Sequence, residues 1–131
     1  MSRKSKGINA ERDLVHAFWG KGYACVRIAG SGSSRYPSAD LVVGKGSRKM
    51  VVECKATKKD KQYFDKTQIE LFKQFATIFG GEPWIAVKFD RKEWSFLKIE
   101  ELNDSGKNYC ISDKKAPIIG RSFEELIAKD I

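Results

Sequence analysis

The run Asp40-Leu-Val-Val-Gly-Lys-Gly-Ser-Arg-Lys-Met-Val-Val-Glu-Cys-Lys-Ala56 decides how the rest of the chain is read. Two β-rich apolar runs, Asp40-Leu-Val-Val43 and Lys49-Met-Val-Val-Glu-Cys-Lys-Ala56, flank Gly44-Lys-Gly-Ser47, a hairpin signal. Along the second run side chains alternate between faces. Val51, Glu53 and Lys55 therefore share one face, while Val52, Cys54 and Ala56 point to apolar packing on the other. A carboxylate and an ammonium two apart in such a strand need a reason, because burying either charge alone is costly. A metal supplies one. Asp40, with twelve residues between it and Glu53, opens the preceding strand and can bring its carboxylate alongside. Two carboxylates make a hard, oxygen-rich site suited to Mg²⁺ or Mn²⁺. Lys55 beside them can position or help deprotonate a water, or stabilise charge on a phosphate. The competing reading is a Glu–Lys pair guarding a sheet edge. Asp40 on the neighbouring strand, Pro37 three residues before it and the basic character of the chain favour the site.

Outward from the hairpin, residues 8–21 place Ile8, Leu14, Val15, Phe18 and Trp19 at helical spacing, with Gly20 and Gly22 at the end. Tyr23-Ala-Cys-Val-Arg-Ile28 reads as a strand, and Gly30-Ser-Gly-Ser-Ser-Arg-Tyr-Pro-Ser38 as a mobile loop. Residues 57–66 are polar and basic and read as a loop. A second helix over about 67–79 carries Ile69, Phe72, Phe75, Ala76 and Phe79 on one stripe, with Thr67-Gln-Ile-Glu70 as a capping box and Gly80-Gly81 as the stop. Pro83-Trp-Ile-Ala-Val-Lys-Phe89 and Trp94-Ser-Phe-Leu-Lys-Ile99 are two further strands, Tyr109-Cys-Ile111 is a short one, and Ser122-Phe-Glu-Glu125 caps a short C-terminal helix. The order α-β-β-β-α-β-β predicts an α/β domain with a mixed sheet.

The 131 residues read as a single domain, 1–131. With 41% hydrophobic and 11% aromatic residues the chain can build a core, which excludes whole-chain disorder. Its longest uncharged apolar stretches are far shorter than the roughly 20 residues a bilayer needs, and no apolar segment follows the basic N-terminus, so neither a membrane span nor a signal peptide is expected. Cys25, Cys54 and Cys110 are odd in number and lack a C-x-x-C pair, which argues against a disulfide framework or a zinc site and for a reducing, cytoplasmic home. A net charge of +8 and a pI near 9.4 point toward a polyanion such as nucleic acid. His16 is the only histidine, and histidine-based catalysis is not expected.

Pro37-Ser-Ala-Asp40 followed by Glu53-Cys-Lys55 resembles the PD-(D/E)xK nuclease superfamily. Ala10-Glu11-Arg12, Arg27 with Ala29-Gly30-Ser31, Asp40-Leu-Val, Lys58-Lys59-Asp60, Phe79-Gly80-Gly81 and Ala86-Val-Lys-Phe89 narrow the resemblance to archaeal-type Holliday-junction resolvases over roughly residues 5–100. The resemblance implies a restriction-endonuclease-like fold and a metal-dependent endonuclease that resolves four-way DNA junctions in recombination and repair. It implies Asp40 and Glu53 as metal ligands, Lys55 as the catalytic lysine, and Glu11 as a further acidic group at metal or its waters, with Mg²⁺ as the cofactor. Ser31 falls by the scissile strand, with Ser33 and Ser34 competing for its role because the loop is longer than in the shortest family counterparts. Arg12 and Arg27 fall on phosphates, and Arg3, Lys4, Lys6, Arg35, Lys58, Lys59, Lys61 and Lys66 on the DNA backbone. A homodimer is implied too, part of the aromatic stripe lining its interface, since a two-fold dimer matches a near two-fold junction. No membrane and no nucleotide cofactor are expected. The rivals are a duplex-cutting restriction or repair enzyme of the same fold, and a non-catalytic junction-binding protein.

Overall fold

The computed structural model describes the backbone of residues 3–30 and 35–128 and the side chains of residues 7–30 and 35–128. Helix α1 (Arg3–Gly20) leads through a tight turn to β1 (Ala24–Arg27), then β2 (Leu41–Lys45), β3 (Arg48–Thr57), β4 (Lys61–Asp65), α2 (Lys66–Phe79), β5 (Glu82–Phe89) and β6 (Trp94–Leu97). A 3-10 turn (Ile99–Glu101), β7 (Asn103–Asp104), β8 (Asn108–Ser112), α3 (Ala116–Ile119) and α4 (Phe123–Ala128) complete the described chain.

The expected hairpin is β2–β3. Lys45 pairs with Arg48, leaving a two-residue turn in which Gly46 holds φ at 58°, a conformation such turns demand of their first residue. Five strands form the main sheet in the order β1-β2-β3-β5-β6; β3 and β5 run parallel and the other neighbours antiparallel. The near-continuous apolar runs of β3 and β5 follow from burial on both faces. On one face Met50, Val52, Cys54, Leu41, Val43 and Trp84 pack against Leu14 and Phe18 of α1 and Leu126 of α4. On the other, Val51, Ile85 and Val87 pack against Ile69, Phe72 and Ala76 of α2, joined by Phe64 and Ile111 from a small sheet of order β4-β8-β7. The mixed α/β architecture with helices on both faces is the restriction-endonuclease-like fold expected.

Three local expectations are corrected. Residues 57–66 are not all loop: β4 pairs antiparallel with β8, and only Phe64 in it is buried. Its partner lies more than forty residues on, so no local pattern announces it. Helix α2 begins one residue earlier than expected, and its N-cap is Asp65, whose carboxylate accepts from the Thr67 and Gln68 amides at 2.8 and 3.2 Å; Thr67 already lies inside the helix. Finally, α2 splits its stripe: Ile69, Phe72 and Ala76 are buried, Phe75 is half-buried, and Phe79 is 44% exposed. The Ser122 capping box is present, with Ser122 N–H donating to Glu125 at 2.9 Å and Glu125 N–H to Ser122 Oγ at 3.1 Å.

Candidate active site

The carboxyl ends of β3 and β5 define one edge of the sheet, where open α/β sheets tend to place ligands. The antiparallel pairings bring the end of β1 and the entry to β2 to that same edge. Asp40 stands at this entry, its backbone locked between both neighbours: its N–H donates to the Val52 carbonyl at 3.0 Å and its carbonyl accepts from Ile28 N–H at 2.8 Å. Its carboxylate accepts from the Cys54 amide at 2.8 Å, which fixes it against the strand that carries Glu53. A side chain tied in this way is positioned before any substrate arrives.

Glu53 is partly buried, and burial is the first cause pushing its carboxyl up to about 8; the Asp40 charge adds to the rise, Lys55 opposes it, and Glu11 adds a little more. Glu11 reaches the same cluster from α1. Burial and Asp40 raise its proton affinity, while Arg27, donating from Nε to Glu11 Oε1 at 3.0 Å, and Lys55 hold it down. Glu11, Arg27, Asp40, Glu53 and Lys55 thus form one electrostatic unit assembled from α1, β1, the β2 entry and β3. Two carboxyls raised by burial and by the Asp40 charge beside them form an arrangement a cation relieves.

The donor set fits a hard divalent cation held by few side chains. Among the described residues no three acidic, cysteine or histidine side chains converge as a ready-made cage. Glu11 is turned to Arg27, and Asp40 gives part of its capacity to Cys54. Asp40 and Glu53 with waters and a substrate phosphate match the way Mg²⁺ is held, by one or two carboxylates rather than by an all-protein cage.

Around this unit Arg12 is exposed on α1, and Arg35 is exposed with its guanidinium over the Tyr36 ring at 5.8 Å. Lys58 and Lys59 are exposed in the turn after β3, and Lys61 is exposed on β4. Lys66 also has partners within the fold: its ammonium is bound to Asp104 at 2.8 Å and lies over the Tyr109 ring. Ser31, Ser33 and Ser34, and the side chains of Arg3, Lys4 and Lys6, lie outside the described residues. Sequence reading missed that Arg27 engages Glu11, a contact between elements that no local pattern announces.

Comparison with known proteins places this geometry in context. A family model described as archaeal Holliday junction resolvase (Hjc) matches residues 2–130. The chain is similar to the crossover junction endodeoxyribonuclease Hjc of Archaeoglobus fulgidus, 34% identical, with 98% of this chain and 99% of that protein covered. The protein of the same name from Methanocaldococcus jannaschii is 36% identical over 95% of this chain and 88% of its own length. A 1.6 Å structure of Archaeoglobus fulgidus Hjc, described as a Holliday junction resolvase, matches with a TM-score of 0.84 and 34% identity, covering 92% of this chain and 97% of that one.

Proposed function

Because the chain belongs to the archaeal Holliday junction resolvase (Hjc) family, we propose that it resolves four-way DNA junctions by paired phosphodiester cuts, one on each of two opposing strands. The family is one of metal-dependent nucleases, and the whole chain, 1–131, acts as one nuclease domain of a crossover junction endodeoxyribonuclease. The observation that carries the reading is the convergence of Asp40, Glu53 and Lys55 at the sheet edge, where burial first and the Asp40 charge second push the Glu53 carboxyl up to about 8. Asp40 and Glu53 are the ligands of Mg²⁺, with Mn²⁺ substituting. When bound, the cation supplies Lewis acidity toward the scissile phosphate and the attacking water. Lys55 presents its ammonium to the phosphate oxygens from the same strand face. Glu11, held by Arg27, acts on the outer waters of the site, and Ser31 assists the cut.

Arg12, Arg27, Arg35, Lys58, Lys59, Lys4 and Lys6 neutralise backbone phosphates, giving steep salt dependence and little base readout. Junction preference comes from shape and deformability. A two-fold homodimer supplies two sites related as the junction's strands are. The protein acts where DNA is, in the cytoplasm with the nucleoid, on recombination and repair intermediates. No helix among the described residues is long and apolar enough to cross a membrane.

The test is cleavage of a labelled four-way junction and a matched linear duplex, with Mg²⁺ or EDTA, by wild type and Asp40→Ala. Paired metal-dependent nicks in the junction alone are expected, with the variant slowed by about a thousandfold or more yet still binding. Equal cutting of the duplex would overturn junction selectivity, and tight binding without cutting under any metal would overturn the enzyme.

A further inference from the structure

Three turns at the active-site edge are tied into one corner. The turn at 58–60 follows β3, the turn at 90–93 joins β5 to β6, and residues 113–115 follow β8. Asp113 N–H donates to the Asp60 carbonyl at 2.9 Å. Lys92 Nζ reaches the Asp113 carbonyl at 3.0 Å and its carboxylate at 3.7 Å. The corner lies beyond the carboxyl ends of β3 and β5, on the side of the sheet that Glu53 and Lys55 face.

Within it, Arg91 stands out. Lys92 N–H donates to the Phe89 carbonyl at 3.0 Å, closing a four-residue turn whose third residue is Arg91, with φ at 61°. Glycine or asparagine is the usual occupant of that position. Every other described residue with positive φ is a glycine. Holding arginine in left-handed backbone, fully at the surface, makes sense where its side chain is used. Lys114 and Lys115 are exposed beside it, and among the described residues none of Arg91, Lys114 and Lys115 pairs with a carboxylate. Lys92 offsets Asp113, and Asp60, Asp90 and Glu93, exposed in the same turns, stand against Arg91, Lys114, Lys115, Lys58 and Lys59.

We infer that Arg91, Lys114 and Lys115 form a second phosphate-binding platform that grips a duplex arm of the junction beyond the scissile phosphate, held rigid by the Lys92–Asp113–Asp60 ties. The inference rests on the resolvase reading and extends it from the cut site to an arm. It separates two tasks: carboxylates and Lys55 at the edge act on the cut strand, and the corner orients the arm that leads from it.

The experiment measures binding of a labelled four-way junction and of linear duplex by full-length protein in EDTA across a salt series. The proteins are wild type, Arg91→Gln/Lys114→Gln/Lys115→Gln and Arg91→Gly. The triple variant is expected to bind the junction about tenfold or more weakly, with a log–log salt slope shallower by about two to three. Arg91→Gly is expected to lose about one from the slope while its melting temperature holds or rises, because glycine relieves the backbone. That opposite movement of affinity and stability is a signature a purely structural arginine cannot produce. Wild-type slope and affinity in both variants overturn the platform. Wild type binding the junction no better than linear duplex overturns the resolvase reading instead, whatever the variants do.

Discussion

Glu53 carries a cost set by its surroundings. Its carboxyl is raised from 4.5 to about 8, first by burial and then by Asp40. Below pH about 4.5 folded and unfolded chains both hold this proton; above about 8 both have released it. Between those values the unfolded chain releases a proton that the fold retains, so the metal-free protein loses stability as pH rises through the window. In EDTA the melting midpoint of wild type is expected to fall by roughly 5 °C or more across it, and Glu53→Gln to flatten most of that fall. Equal pH profiles for the two proteins in a thermal melt would overturn the assignment. At this scale the sequence was informative about identity and silent about engagement. Asp40, Glu53 and Lys55 were legible because strand alternation places charge against an apolar pattern. That Arg27 is held by Glu11, or Lys66 by Asp104, depends on contacts between elements far apart in the chain.

Among the elements, the one that ties most of the fold together is the turn into β3. Arg48, 4% exposed, donates from Nε to Glu82 at 3.1 Å, and from Nη1 to the Leu126 carbonyl at 2.8 Å and Tyr23 Oη at 3.3 Å. One guanidinium thus joins β3 to the start of β5, the α1–β1 turn and the last helix. Arg48→Ala takes the buried donor from the Leu126 carbonyl and the guanidinium from Glu82, and is expected to cost about 2–4 kcal/mol in denaturant unfolding, with α4 amides exchanging first. A loss under about 0.5 kcal/mol, the range of ordinary surface changes, would sink that account. Elements with their own period or cap were legible: α1, α2, the β2–β3 hairpin, β5, β6 and the Ser122-capped α4. Elements that exist through distant pairing were not. β4 and β7 each borrow their hydrogen bonds from β8, and their polar alternation looks like loop.

For the whole molecule, α2 presents what its core face leaves over. Phe75 and Phe79 stack at 5.6 Å with their rings within 9° of parallel, and Ile78 beside them is 82% exposed. A stacked aromatic pair at the surface of a chain carrying +8 suits a second copy's matching pair, and is where the homodimer we propose would meet. Phe79→Glu is expected to sediment as a monomer and to give single rather than paired nicks, while keeping its fold by circular dichroism. An unchanged dimer would move the interface elsewhere. The stripe on α2 was readable as apolar from its spacing; which part of it faces outward depends on the packing of the layers, in which Ile69, Phe72 and Ala76 meet the sheet and Ile78 and Phe79 do not.

Cys25, Cys54 and Cys110 are all free and buried. The first two lie in the five-stranded sheet beneath α1, and the third in the small sheet on the opposite face. Burial also raises the Cys25 and Cys54 thiols, so the closed fold holds little thiolate and alkylation requires an opening that lets solvent in. The molecule therefore carries a native clock for its own breathing: alkylation of each sulfur registers the opening of one layer, with no label added. Their relative rates, read by mass spectrometry, would tell which face of the fold lets go first.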